Sequence, residues 1–149
     1  MSEVKSFGYN TWWTVPGLCV PVEKVQEALV RNGFAPTTIP APSTRAEVAR
    51  AVYSLQNRRR KDDRKITELV TERGGISTDE VVYGILDRDG DKDAVSFNQG
   101  TTVRYNTNTG TINVDGQHAA EVNAALAQFK GANTDEDIRA FFNQVVRRL

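Results

Sequence analysis

Apolar positions change their period several times along the chain, and each change marks an element. Phe7, Tyr9, Trp12, Trp13 and Val15 lie in an aromatic, β-prone stretch that stops at Pro16-Gly17, which predicts an aromatic arm or short strand over 1–20. From Pro21 the period lengthens. Val22, Val25, Leu29 and Val30 recur at helical spacing, proline suits the first turn, and Gly33 supplies the stop, with Phe34 placed to fold back on the last turn. The prolines between Ala35 and Pro42 predict an extended connector. Thr44 and Glu47 then have the spacing of a capping box, and Val48, Val52 and Leu55 give one apolar stripe, so the second helix is expected to run to about Arg58.

The middle of the chain reads as strand. Ile66 to Val70 fits neither period cleanly and is taken as a strand, while Val81 to Leu86 is a clearer one, set off by Gly74-Gly75. Asp89-Gly90 predicts a two-residue hairpin, with Arg88 opposite Asp91, Asp87 opposite Lys92, Ile85 opposite Ala94 and Val82 opposite Phe97. A second hairpin turns at Thr107-Asn108-Thr109-Gly110 and pairs Tyr105 with Ile112, Val103 with Val114 and Arg104 with Asn113. Two helices follow. Val122, Ala125, Leu126 and Phe129 line the first, which Gly131 ends. Thr134 is placed to cap the second, which carries Asp135, Glu136 and Asp137 in its first turn and Arg147 and Arg148 in its last, matching the helix dipole. Its stripe of Ile138, Phe141, Phe142, Val145 and Leu149 is the strongest in the protein.

This order predicts an α+β fold: an antiparallel sheet of two hairpins plus one further strand, with an N-terminal and a C-terminal helix pair packed on one face. The expected organisation is a single domain over 1–149: the arm at 1–20, two helices at 21–58, the sheet at 64–115 and two helices at 117–149. A chain of 149 residues has the size to bury one core without a disulfide or structural metal.

Charge adds little steering. Nineteen basic and nineteen acidic residues cancel, so any attraction to nucleic acid or an anionic membrane must be local. No apolar run is long enough to span a bilayer, Met1 to Lys5 lack the halves of a secretion signal, and the single cysteine cannot form an internal disulfide; a cytoplasmic protein without membrane partners is the expectation.

The scarcity of His118 and Cys19, one of each, removes most of the chemistry a small enzyme would use. Cys19 has no charged neighbour in sequence to activate it and reads as an inert buried thiol. His118 stands near a helix start and reads as a surface or capping residue. The run Asp87, Asp89, Asp91, Asp93 resembles a cation loop in composition. Its spacing departs from an EF-hand, with Gly90 fourth and Asn98 where the glutamate belongs, and the hairpin accounts for the same residues. We therefore expect no catalytic residues, no metal and no cofactor; a metal-dependent hydrolase built on the aspartates is the third-ranked reading.

Trp13-Thr14-Val15-Pro16, the helix to Gly33-Phe34, and Ile39-Pro40-Ala41-Pro42 leading into Ala46-Glu47-Val48-Ala49-Arg50-Ala51 resemble the opening of an uncharacterised family of bacterial and phage proteins, over about the first third of the chain. Where that family has a phenylalanine-rich start to its second helix, this chain reads Glu47-Val48-Ala49. The resemblance implies a phage or mobile-element origin and carries no functional residue. It also implies a further region after a helix like Ile138 to Leu149, so the chain is expected to be a short member or a piece cut at a domain boundary.

The leading expectation is a non-enzymatic module that binds another protein or itself, with Trp12, Trp13, Phe141 and Phe142 as contacts and homo-oligomerisation through the C-terminal helix. The alternative is nucleic-acid binding, with Arg58, Arg59, Arg60, Lys61, Arg64, Lys65 and Arg104 on phosphates and an exposed tryptophan stacking on bases.

Overall fold

A computed structural model describes residues 18–56, 64–70, 79–89 and 96–148, without the side chains of 64–70, 88–89 and 96–98. The elements run β1 (Cys19–Pro21), α1 (Val22–Arg31), α2 (Thr44–Ser54), β2 (Arg64–Val70), β3 (Glu80–Asp89), β4 (Ser96–Asn106), β5 (Ile112–Gly116), α3 (Ala119–Phe129), β6 (Ala132–Thr134) and α4 (Asp135–Arg148). The fold is α+β. β2, β3, β4 and β5 form an antiparallel meander in that order, and β1 pairs antiparallel with β6 in a separate two-stranded sheet.

Local chemistry explains the helix ends. α1 starts after Pro21, whose missing N–H costs nothing there, and ends at Gly33, where φ is +82° and the Phe34 N–H donates to the Leu29 carbonyl. α2 starts one residue earlier than the Thr44–Glu47 box requires. Ser43 is the cap, its Oγ accepting from the Ala46 N–H, so Glu47 lies too far along the turn to reach back and instead accepts the Gly131 N–H at 2.9 Å. The helix also stops at Ser54 rather than near Arg58. There the Ser54 hydroxyl donates to the Ala51 carbonyl, and Leu55 and Gln56 close tight i→i−3 turns.

The β4–β5 hairpin has the expected register, Tyr105 opposite Ile112, Val103 opposite Val114 and Arg104 opposite Asn113. Its turn is held by Asn106, whose Oδ1 accepts the N–H groups of Asn108 and Thr109, and by Gly110 at φ +73°. The β3–β4 register differs from the expected one. Asp89 pairs with Ser96, Asp87 with Asn98 and Ile85 with Thr101, so the connection is not a two-residue turn at Asp89-Gly90. Burial decides this. The observed register sets Val81 opposite Tyr105 and Tyr83 opposite Val103, all of them buried, whereas the turn-first register would spend the same strand on Ala94 and Phe97.

The helices also group differently from the expected pairs. α2 and α3 pack together over the meander, and Val48, Val52 and Val122 join Val81, Tyr83, Ile85 and Val103 in one core. α1 and α4 instead build a second core on the β1–β6 sheet, where Val25, Leu29 and Ile39 meet Val20, Ile138 and Phe141. One helix from each predicted pair therefore covers the sheet. Thr134, read as a helix cap, is the last residue of β6, and all three residues of that strand are buried. Among the described residues no helix is long and apolar enough to cross a membrane.

Candidate functional site

Asp91 and Asp93 lie outside the described residues, while Asp87 turns toward the start of α3. A β-bulge leaves Gly100 without a partner between Ile85–Thr101 and Leu86–Gln99, and such an extra residue re-aims the strand beyond it. Asp87 Oδ2 stands 2.6 Å from His118 Nε2 and also accepts from Gln117 Nε2 at 2.6 Å. The other ring nitrogen, Nδ1, is 3.3 Å from Glu121 Oε1. The His118 side chain is 14% exposed and that of Glu121 is 52% exposed, so the cluster runs from half-buried to open surface.

His118 occupies the cap position of α3 without capping it by its side chain. Its backbone N–H donates to Thr101 Oγ1 at 2.9 Å, and the Thr101 residue is itself buried. His118 thus ties the start of α3 to β3 through its ring and to β4 through its backbone. This corrects the surface or capping reading, and one signal for it was present: Asp87 is in phase with Val81, Tyr83 and Ile85, and an acid on a core-facing position needs a partner.

Chemically the cluster is a clasp. Two carboxylates grip opposite nitrogens of one ring, so they cannot converge on a single ion, and among the described residues no group of three or more His, Cys, Asp or Glu side chains is arranged to hold a metal. His118→Ala is expected to cost about 1–2 kcal/mol in a thermal or urea melt, because it removes the 2.6 Å contact between the ring and the partly buried Asp87 carboxylate.

A second polar centre joins α2 to α4. Arg50 makes a bidentate pair with Asp137, at 3.0 and 2.7 Å, with both side chains under 20% exposed. Asp137 Oδ2 also accepts from Asn133 Nδ2 and from the Thr134 N–H. Asp137 therefore reaches back to cap α4, and Thr134 Oγ1, expected to be the cap, is buried with no partner. Burial alone would raise the Asp137 carboxyl, but the Arg50, Asn133 and Thr134 hydrogen bonds and the Arg50 charge outweigh it and hold the group below the usual carboxylate range. Cys19 lies close by, its Sγ donating to the Gln128 carbonyl at 3.3 Å, and burial pushes its thiol up while Arg50 offsets part of that.

The third feature is apolar. Phe34 meets Phe141 edge to face at 5.3 Å, and Phe141 meets Phe142 at 5.4 Å. Phe34 is 42% exposed and Val146 60% exposed. A shallow depression elsewhere is lined by Glu23, Gln26, Glu27, Val30 and Arg31, all of α1, and is the corrugation of one helix rather than an enclosing pocket.

Of the residues singled out from sequence, Phe141 and Phe142 meet on α4. Trp12, Trp13, Arg58, Arg59, Arg60 and Lys61 lie outside the described residues. Arg64 and Lys65 sit on β2 opposite Asp87 and Leu86, whereas Arg104 sits on β4 opposite Val82, at least four residues further along β3. That offset is about 13 Å along the strand between backbone positions, and Arg104 faces Glu80 at 3.7 Å.

Residues 6–149 match the model of a family described as of unknown function, DUF6744. No curated protein and no solved structure matches the chain.

Proposed function

The chain belongs to the DUF6744 family, whose function is unknown, and on that footing we propose that it is a non-catalytic binding module that associates with a second copy of itself through the aromatic face of α4. One observation carries the reading. α4 bears Ile138, Phe141, Phe142, Val145 and Val146, yet none of its residues is fully buried, so among the described residues a helix with a strong apolar stripe is left half-covered. Phe34 extends that surface from the end of α1. The Asp87–His118 cluster supports catalysis less well, since carboxylates engage both ring nitrogens. The free thiol of Cys19 fits a reducing, cytoplasmic setting. The likeness of the opening third to bacterial and phage proteins supports a phage or mobile-element origin.

Sedimentation velocity over a wide concentration range tests this. The wild-type mass is expected to rise toward that of a dimer, and a Val146→Asp variant, altered at a position 60% exposed, is expected to stay monomeric with an unchanged far-UV circular dichroism spectrum. A wild-type mass that stays monomeric at every concentration would count against self-association.

A further inference from the structure

The described elements fall into two groups, each with its own core: α2, α3 and the meander on one side, and α1, β1, β6 and α4 on the other. Between the groups α3 touches β6, which follows it in the chain through Gly131 at φ +62°. Polar ties among the described residues also cross the seam: the two Arg50–Asp137 hydrogen bonds, a longer Arg50–Glu136 ion pair at 3.9 Å, the Glu47 carboxylate on the Gly131 N–H, and the Cys19 thiol on the Gln128 carbonyl. β6 carries two buried polar atoms with no partner, Asn133 Oδ1 and Thr134 Oγ1. Such atoms gave up water on burial without a replacement bond, which lowers the stability of the strand that carries them.

We propose that the Arg50–Asp137 pair is a latch whose release lets α1, β1, β6 and α4 swing away from α2 and the sheet as one unit while the sheet core stays folded. The geometry suits such a motion. An apolar seam would separate only at the cost of a large wetted area, whereas a seam held by a few directional bonds has a discrete closed state and opens when they break. Ile39 belongs to the second core and the Pro40 carbonyl accepts from Asn133 Nδ2, so the covalent connections that must flex are residues 41–43 and Lys130-Gly131.

Cys19 reports the motion. It is the one cysteine of the chain, it is half-buried on the seam, and its thiol donates to the Gln128 carbonyl across it while the latch is closed. The full chain and an Asp137→Asn variant would be labelled with a disulfide reagent such as DTNB, with hydrogen exchange of the β3 and β4 amides followed in parallel. Labelling is expected to accelerate about ten- to a hundredfold in the variant, the population shift that losing one charge-assisted hydrogen bond produces, with exchange in β3 and β4 unchanged. Equal acceleration of both would overturn the latch in favour of one cooperative unit, and so would an unchanged labelling rate. The wild type supplies a second reading that survives a variant's failure to fold. In low denaturant the α1 and α4 amides must open at a lower free energy than those of β3 and β4, and a single common opening energy overturns the proposal.

Discussion

Gly116→Ala is expected to destabilise the protein by about 3 kcal/mol or more. Gly116 ends β5 at φ +127°, a conformation that side chains rarely adopt, and an added Cβ would run into the Gly100 carbonyl oxygen and the Thr101 backbone. Neither neighbour can move cheaply. Gly100 is the bulged residue whose carbonyl accepts the Gln117 N–H, and Thr101 holds the His118 N–H. The substitution therefore disturbs the bulge and the α3 clasp together. Gly33→Ala is the control: its φ of +82° is also left-handed, but nothing lies within 4 Å of the added carbon, so a loss of about 1 kcal/mol is expected. Urea unfolding of both variants against wild type gives the comparison, and equal losses would show that the close approach at Gly116 carries no weight.

Arg50→Ala is expected to cost about 2–3 kcal/mol. It removes both charge-assisted bonds and leaves the Asp137 carboxylate, 19% exposed, without its cation. Asn133 Nδ2 and the Thr134 N–H still reach Asp137, which keeps the loss below that of a wholly abandoned buried charge. The same pair sets an acid dependence. Because the folded state holds the Asp137 carboxyl below its unfolded value of about 3.9, its contribution is complete above that pH and disappears as pH falls through the lower, folded value. Wild type should therefore lose stability more steeply than Asp137→Asn below about pH 4, and the two slopes should agree near neutrality. Parallel slopes throughout the acid range would place the acid sensitivity elsewhere.

The elements that sequence reading located are those whose determinants lie within a turn or two of each other. α1 follows from Val22, Val25 and Leu29 on one face and Gly33 at its end, and the β4–β5 register follows from a turn that Asn106 and Gly110 build locally. The β3–β4 register failed for the complementary reason. Asp89-Gly90 is a good local turn signal, but the strand obeyed the core, in which Val81 and Tyr83 had to meet Tyr105 and Val103. Both polar centres were hidden by separation: Asp87 and His118 are 31 positions apart in the chain, and Arg50 and Asp137 are 87 apart. At such distances a charged residue in a helix or strand reads as a solvated one until the fold supplies its partner.

By itself the sequence determined the α+β class, the four helices, the central strands and the apolar stripe of α4, because hydrophobic period and turn chemistry act over a few residues and survive any global arrangement. The tertiary structure decided which helix covers which sheet, the β3–β4 register, the His118 clasp and the Arg50–Asp137 pair. Those outcomes depend on how much apolar surface each alternative packing removes from water and on which buried charges then find partners. That sum is taken over the whole molecule, so no local window of the chain contains it.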